Sequence, residues 1–143
     1  MDNNVNVLDE INKGATMGMD AIMFVYDKVE DQTFKKVLDG EYKKYKDISQ
    51  RVGQEYENFS IKAPHTTNAM NKAMTWYGIQ MKTITDDTPS KLSELLMQGT
   101  NMGIIEGRRL LNHNQRIDDN VKNILNDFVS MQEDSVETLK KFL

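Results

Sequence analysis

Only two prolines interrupt this chain, Pro64 and Pro89, and both stand where the regular spacing of apolar residues breaks off. Proline removes a backbone donor and clashes with the preceding turn, so long helices must lie to either side of such points. Through the stretches outside them, apolar residues recur at three- and four-residue intervals, which is the stripe of an amphipathic helix. Leu8, Ile11, Ala15, Met19, Ile22, Tyr26 and Val29 mark a first helix from Val5 to about Glu30. "EDQT" breaks that pattern, with Asp31 or Thr33 as N-cap, and Phe34, Val37, Leu38, Tyr45, Ile48, Val52, Tyr56 and Phe59 mark a second.

Beyond "SIKAPHTTN", the residues Met70, Ala73, Met74, Tyr77, Met81 and Ile84 predict a short helix over 68–85 inside a long connection. Thr88 as N-cap with Pro89 at the first helical position starts a third long helix, which runs to about His113, where Asn112 and Asn114 suit its end. After "RIDDN" a fourth carries Val121, Ile124, Leu125, Phe128, Met131, Leu139 and Phe142. No segment alternates with period two for long enough to read as a strand. The expectation is one all-α domain over 1–143, with a hairpin at 5–59, a crossover at 60–88 and a second hairpin at 89–143.

The two hairpins read as copies of each other. "KGATMG" at 13–18 matches "QGTNMG" at 98–103 with an offset of 85, and "DQTFKKVLD" at 31–39 matches "DDNVKNILN" at 118–126 with an offset of 87.

Composition narrows the functions available. The chain has 143 residues, 18 basic and 22 acidic, with a formal net charge of -4 and no block of basic residues for nucleic acid to bind. It has no cysteine, so disulfides, thiolate metal ligands and cysteine nucleophiles are excluded. Neither a secretory leader nor a membrane span is legible: the opening "MDNNVNVLDE" is acidic and polar, and "MGMDAIMFVY" is short and interrupted by Asp20. A cytoplasmic protein is the expectation. The two histidines, His65 and His113, fall in a loop and at a helix end, and no phosphate-binding loop or nucleophile motif is present.

Two hairpins of similar length joined by a long crossover, with the stretches "GMDAIMFVYDKV", "MTWYGIQM" and "ELLMQGTNMGIIEG", resemble the ferritin-like four-helix bundle. The chain is similar in this respect to bacterial ferritin-like proteins of unknown function, some of which are associated with spore coats. The resemblance implies a bundle with a site for two metal ions. Such sites take a Glu from each of two helices and a Glu-x-x-His from each of the other two. Glu-x-x-His occurs nowhere in this sequence; in the nearest match, "EYKKY", Lys44 stands three residues after Glu41.

A helical wheel turns Asp20 and Glu133 outward and places Glu41 and Glu106 among inward apolar residues. Glu41 and Glu106 are therefore the candidate metal ligands, with iron or manganese as the alternative cofactor to none. Buried carboxylates need partners. The plainer reading satisfies both with tyrosine hydroxyls, Tyr26 and Tyr45 being on inner faces, with Gln132 or with a water. If the two hairpin turns lie at opposite ends, as in ferritins, the two acids are roughly 13 Å apart along the axis, and a pair of metal ions about 4 Å apart cannot join them.

Glycine weakens a helix interior by roughly 0.5–1 kcal/mol relative to alanine. Gly14 and Gly18 in the first helix, and Gly99, Gly103 and Gly107 in the third, are expected to form smooth faces for close helix packing. Ten methionines, spread at helical spacing, are expected to pack an adaptable core. On the first helix, Met17, Ala21 and Phe24 lie away from the core stripe, and on the third Met97, Ile104 and Leu111 do. The crossover helix is expected to cover one such surface, and a second copy of the chain the other. The expected function is that of a non-catalytic bundle acting by self-association, as a homodimer, or through another protein partner. The alternatives are a carboxylate protein binding iron or manganese for redox chemistry or storage, and a carrier of an apolar ligand.

Overall fold

The structure is a computed structural model, and it describes residues 3–59, 78–80 and 83–143. Four long helices account for most of these residues: α1 Asn3–Lys28, α2 Gln32–Tyr56, α3 Pro89–His113 and α4 Asp119–Lys140. A 3-10 turn, Glu57–Phe59, finishes α2. Among the described residues there is no strand. The short helix expected over 68–85 falls mostly outside the described residues, as does His65; of its span, 78–80 and 83 are helical.

Local chemistry sets the helix ends. The Asp31 carboxylate accepts a hydrogen bond from the Phe34 N–H at 2.8 Å and so caps α2. Thr88 does the same for α3, accepting from the Lys91 N–H at 3.2 Å with Pro89 following it. At the far end of α3, the Asn114 side chain donates to the Leu110 carbonyl at 3.0 Å. Asp118 precedes α4 without a side-chain cap bond, and its own N–H donates to Asn4 Oδ1 at 2.7 Å.

Four contacts fix the directions of the helices. Asn4 touches Asp118, Arg51 Nη1 lies 2.9 Å from Asp127, Ser135 lies 2.5 Å from Glu41, and the rings of Phe34 and Phe142 are 4.8 Å apart. Along α4, increasing residue number therefore meets decreasing numbers on α2, while the start of α1 sits beside the start of α4. The α1–α2 turn and the α3–α4 turn lie at opposite ends, and the connection from Phe59 to Thr88 joins opposite ends of the bundle.

The buried positions repeat the sequence duplication. Phe34, Leu38, Glu41, Tyr45, Ile48 and Val52 are buried on α2, and an offset of 87 carries them to Val121, Leu125, Phe128, Gln132, Ser135 and Leu139, all buried on α4. An offset of 85 carries Val7, Leu8, Ile11, Ala15 and Ile22 of α1 to Leu92, Ser93, Leu96, Thr100 and Gly107 of α3, also all buried. The turn of three residues between α1 and α2 becomes five residues between α3 and α4, which accounts for the difference between the offsets.

The glycines make room for side chains. A Cβ on Gly14 would stand 2.8 Å from the Phe128 ring, one on Gly18 would enter the Tyr45 ring, and those on Gly103 and Gly107 would strike Gln132 and Val129. Gly18–Tyr45 and Gly103–Gln132 are the same contact in the two halves. Between α1 and α3 a groove of about 300 Å³ remains, lined by Gly14, Met17, Gly99, Met102, Gly103, Gly107 and Leu110, with Phe128 among its walls.

Candidate functional site

The centre of the bundle is built around Glu41, whose side chain is 5% exposed. Phe34, Leu38, Tyr45 and Ile48 share its face of α2 and pull that face inward, so the carboxylate is carried into the core by its neighbours. One of its oxygens, Oε2, accepts from the Ser135 hydroxyl on α4 at 2.5 Å, and the other, Oε1, lies 3.3 Å from Lys44 Nζ. Lys44 is half exposed, so the pair stands between the core and solvent. Ser135 Oγ is also 3.0 Å from the Met131 carbonyl.

Beside the carboxylate is a cavity of about 20 Å³ to which every long helix contributes: Gly18, Ala21 and Ile22 from α1, Leu38, Glu41 and Tyr45 from α2, Leu96 and Thr100 from α3, Ser135 and Leu139 from α4. Glu41 is the only ionisable acid or base among these besides the tyrosine. Thr100 Oγ1 donates to the Leu96 carbonyl at 2.7 Å and keeps its lone pairs free to accept.

Glu106 does not join this site. Its side chain is 63% exposed and pairs with Arg109 on the same helix, beside the α1–α3 groove. The wheel misplaces it because α3 carries apolar residues on two adjoining sides. Leu92, Leu96, Thr100 and Gly107 face the core, while Met102, 42% exposed, and Leu110 face the groove; averaging the two sides swings the apparent inner face toward Glu106. Ala21 moves the other way, from an expected outward position to 5% exposure against the cavity. Asp20 and Glu133 are exposed as their wheels indicate, and Glu133 pairs with Arg108 at 2.8 Å.

The other candidate residues divide between the groove, the edge of the core and the surface. Met17 lines the groove, and Phe24 is 44% exposed, with Lys28 Nζ 5.3 Å from its ring centre. Met97, Ile104 and Leu111 are half buried, and Met97 and Leu111 pack against the core cluster. Met23, Ile79 and Ile105 are each more than half exposed.

Two buried polar features are not legible along the sequence. Tyr56, at the end of α2, donates its hydroxyl to Asp9 of α1 at 2.5 Å, and both side chains are buried. Burial and the neighbouring carboxylate push the Tyr56 hydroxyl far above the ordinary tyrosine range. Gln132 Nε2 and Ser93 Oγ are buried without a hydrogen-bond partner among the described residues. The spacing of Tyr56 on the apolar stripe is visible in the sequence; that Asp9 meets it is not, because the contact spans two helices.

The donor set does not suit a pair of metal ions. The residues that line the cavity offer one carboxylate, no imidazole, and hydroxyls for the rest, whereas two bridged cations need several carboxylates and nitrogen ligands. Among the described residues no group of three or more His, Cys, Asp or Glu could hold a metal ion. The duplication makes the difference specific, since the residue that corresponds to Glu41 in the second half is Phe128. No family model, curated protein or solved structure matches the chain. Among the described residues no helix is long and apolar enough to cross a membrane.

Proposed function

We propose that the chain is a ferritin-like bundle that acts through contacts with protein, a second copy of itself first among them, and not through a metal pair. The observation that carries this reading is the bundle centre, where one carboxylate is already engaged by Ser135 and Lys44 and its counterpart position holds Phe128. The opposite-ended turns support ferritin-type connectivity. Exposed Met23, Phe24, Met102 and Ile105 provide apolar surface for a partner. Sedimentation velocity from low to high micromolar concentration tests the reading. Reversible dimer formation that Phe24→Ser weakens is the expected result, and a strictly monomeric profile throughout overturns the self-association.

A second reading has its own observation. The α1–α3 groove is lined largely by glycine, methionine, leucine and phenylalanine, and its volume of about 300 Å³ sits at the lower end of the range for small-molecule sites. An apolar ligand retained there gives an added mass in native mass spectrometry that disappears on denaturation.

A further inference from the structure

We propose that the cavity beside Glu41 holds one water molecule, bound by the Glu41 carboxylate and the Thr100 hydroxyl, and that Lys44 supplies the positive charge a metal ion would otherwise bring. The inference deepens the reading of the bundle centre as non-catalytic and rests on it.

Size comes first. A water needs roughly 10–15 Å³ of such space and two to four polar partners; the cavity offers about 20 Å³. A cation with its own shell of waters exceeds that room. The partners are present: each Glu41 oxygen has lone pairs beyond those used by Ser135 and Lys44, and Thr100 Oγ1, having given its proton to the Leu96 carbonyl, accepts. A water placed between them donates one hydrogen to each. Of the remaining walls, Gly18, Ala21, Ile22, Leu38, Leu96 and Leu139 are apolar, and Ser135 and Tyr45 complete the lining.

Charge comes second. A buried carboxylate without a counter-charge is costly. Among the described residues no charged group of α1, α3 or α4 lines the cavity with Glu41; those helices present glycine, aliphatic side chains, Thr100 and Ser135 to it. The counter-charge comes from α2 itself, where Lys44 is one turn away with its Nζ 3.3 Å from Oε1. This is the position at which a Glu-x-x-His motif would place its imidazole. A tethered ammonium there balances the acid and repels a divalent cation from the same oxygen. Hard divalent cations also want six or more oxygen ligands, and the cavity walls supply a single carboxylate and hydroxyls.

The test uses the full chain. A high-resolution crystal structure grown with manganese(II) present should show one peak in the cavity, refining as water within hydrogen-bond distance of Glu41 and Thr100 and giving no anomalous signal. Thr100→Val should lose the peak. In solution, chelator should leave the melting temperature of the parent chain unchanged, and Lys44→Met should lower it at neutral pH by about 4 °C. Adding Glu41→Gln to Lys44→Met should recover most of that loss, because the unpaired buried charge is then gone. An empty cavity, or a Lys44→Met variant as stable as the parent, overturns this inference and leaves the proposed function standing. Stoichiometric manganese on Glu41 overturns both. A monomeric protein with the water in place overturns only the proposed self-association.

Discussion

Tyr56 and Asp9 meet across the open ends of α1 and α2, with the phenol hydroxyl 2.5 Å from the carboxylate and both side chains buried. The pair ties the last turn of α2 to the second turn of α1, far from the hairpin turn that joins the same helices. Tyr56→Phe leaves the Asp9 carboxylate buried without its donor, and about 1–3 kcal/mol of stability should be lost, read from urea denaturation at neutral pH.

The same pair should mark the alkaline limit of the fold. The folded-state value of the Tyr56 hydroxyl is raised above the ordinary value of 10.0, so its contribution is complete below pH 10 and declines as pH rises beyond it. The slope contributed by one such group approaches about 1.4 kcal/mol per pH unit. Stability measured between pH 9 and 11.5 should fall more steeply for the parent chain than for Tyr56→Phe. Parallel slopes would show that the bond does not survive in solution.

Asp86 should act at the acid end. Its carboxyl is held below the usual range, chiefly by the Thr88 N–H that donates to it at 2.9 Å. A lowered value means that the ionised group favours the fold above its unfolded value of 3.8 and that this help is lost as pH falls through the folded value. Asp86→Asn should therefore be slightly less stable than the parent at neutral pH, and the two stability–pH curves should converge below pH 4. A gap that stays constant through the acid limb counts against the bond.

Glycine substitutions should separate into two opposite groups. Gly18→Ala drives a methyl into the Tyr45 ring, and about 1–3 kcal/mol of destabilisation is expected from the overpacking. Gly40 and Gly53, both within α2, have open space where a Cβ would stand, with nothing within 4 Å. Gly40→Ala and Gly53→Ala should each stabilise by roughly 0.5–1 kcal/mol through helix propensity alone. Thermal melts of the three variants side by side decide the matter.

Thr88→Ala should cost about 1 kcal/mol, the usual value for an N-cap, because the Lys91 N–H then loses its acceptor. Circular dichroism melts, with Thr88→Ser as the conservative control, should show the loss and its recovery.

The long helices were legible because each obeys one rule at many positions: Leu8, Ile11, Ala15 and Ile22 repeat a period, and Asp31, Thr88 and Pro89 mark ends by local chemistry. Glu41 was legible for the same reason, since its own helix has a single apolar face. Glu106 was not, because a wheel records how one helix divides its residues and says nothing of which side a neighbour covers; α3 has a core side and a groove side, and only the position of α1 distinguishes them. Ser135 as the partner of Glu41 was hidden as well. The two are far apart in sequence, and a serine four residues after Met131 reads locally as a helix residue bonded to its own backbone. The glycines stand out in the sequence as gaps in helix interiors, but which side chain fills each one depends on the neighbouring helix.

The two halves keep the same buried register although one turn has three residues and the other five. All of the length difference was absorbed where the chain leaves the helices. A single residue added within α2 would rotate everything beyond it by about 100° and carry Glu41 or Tyr45 off the core, whereas the 114–118 turn takes extra residues without asking any helix to turn. That turn is the place to insert a peptide epitope or a fluorescent reporter, and the bundle should melt within a few degrees of the parent when one is placed there.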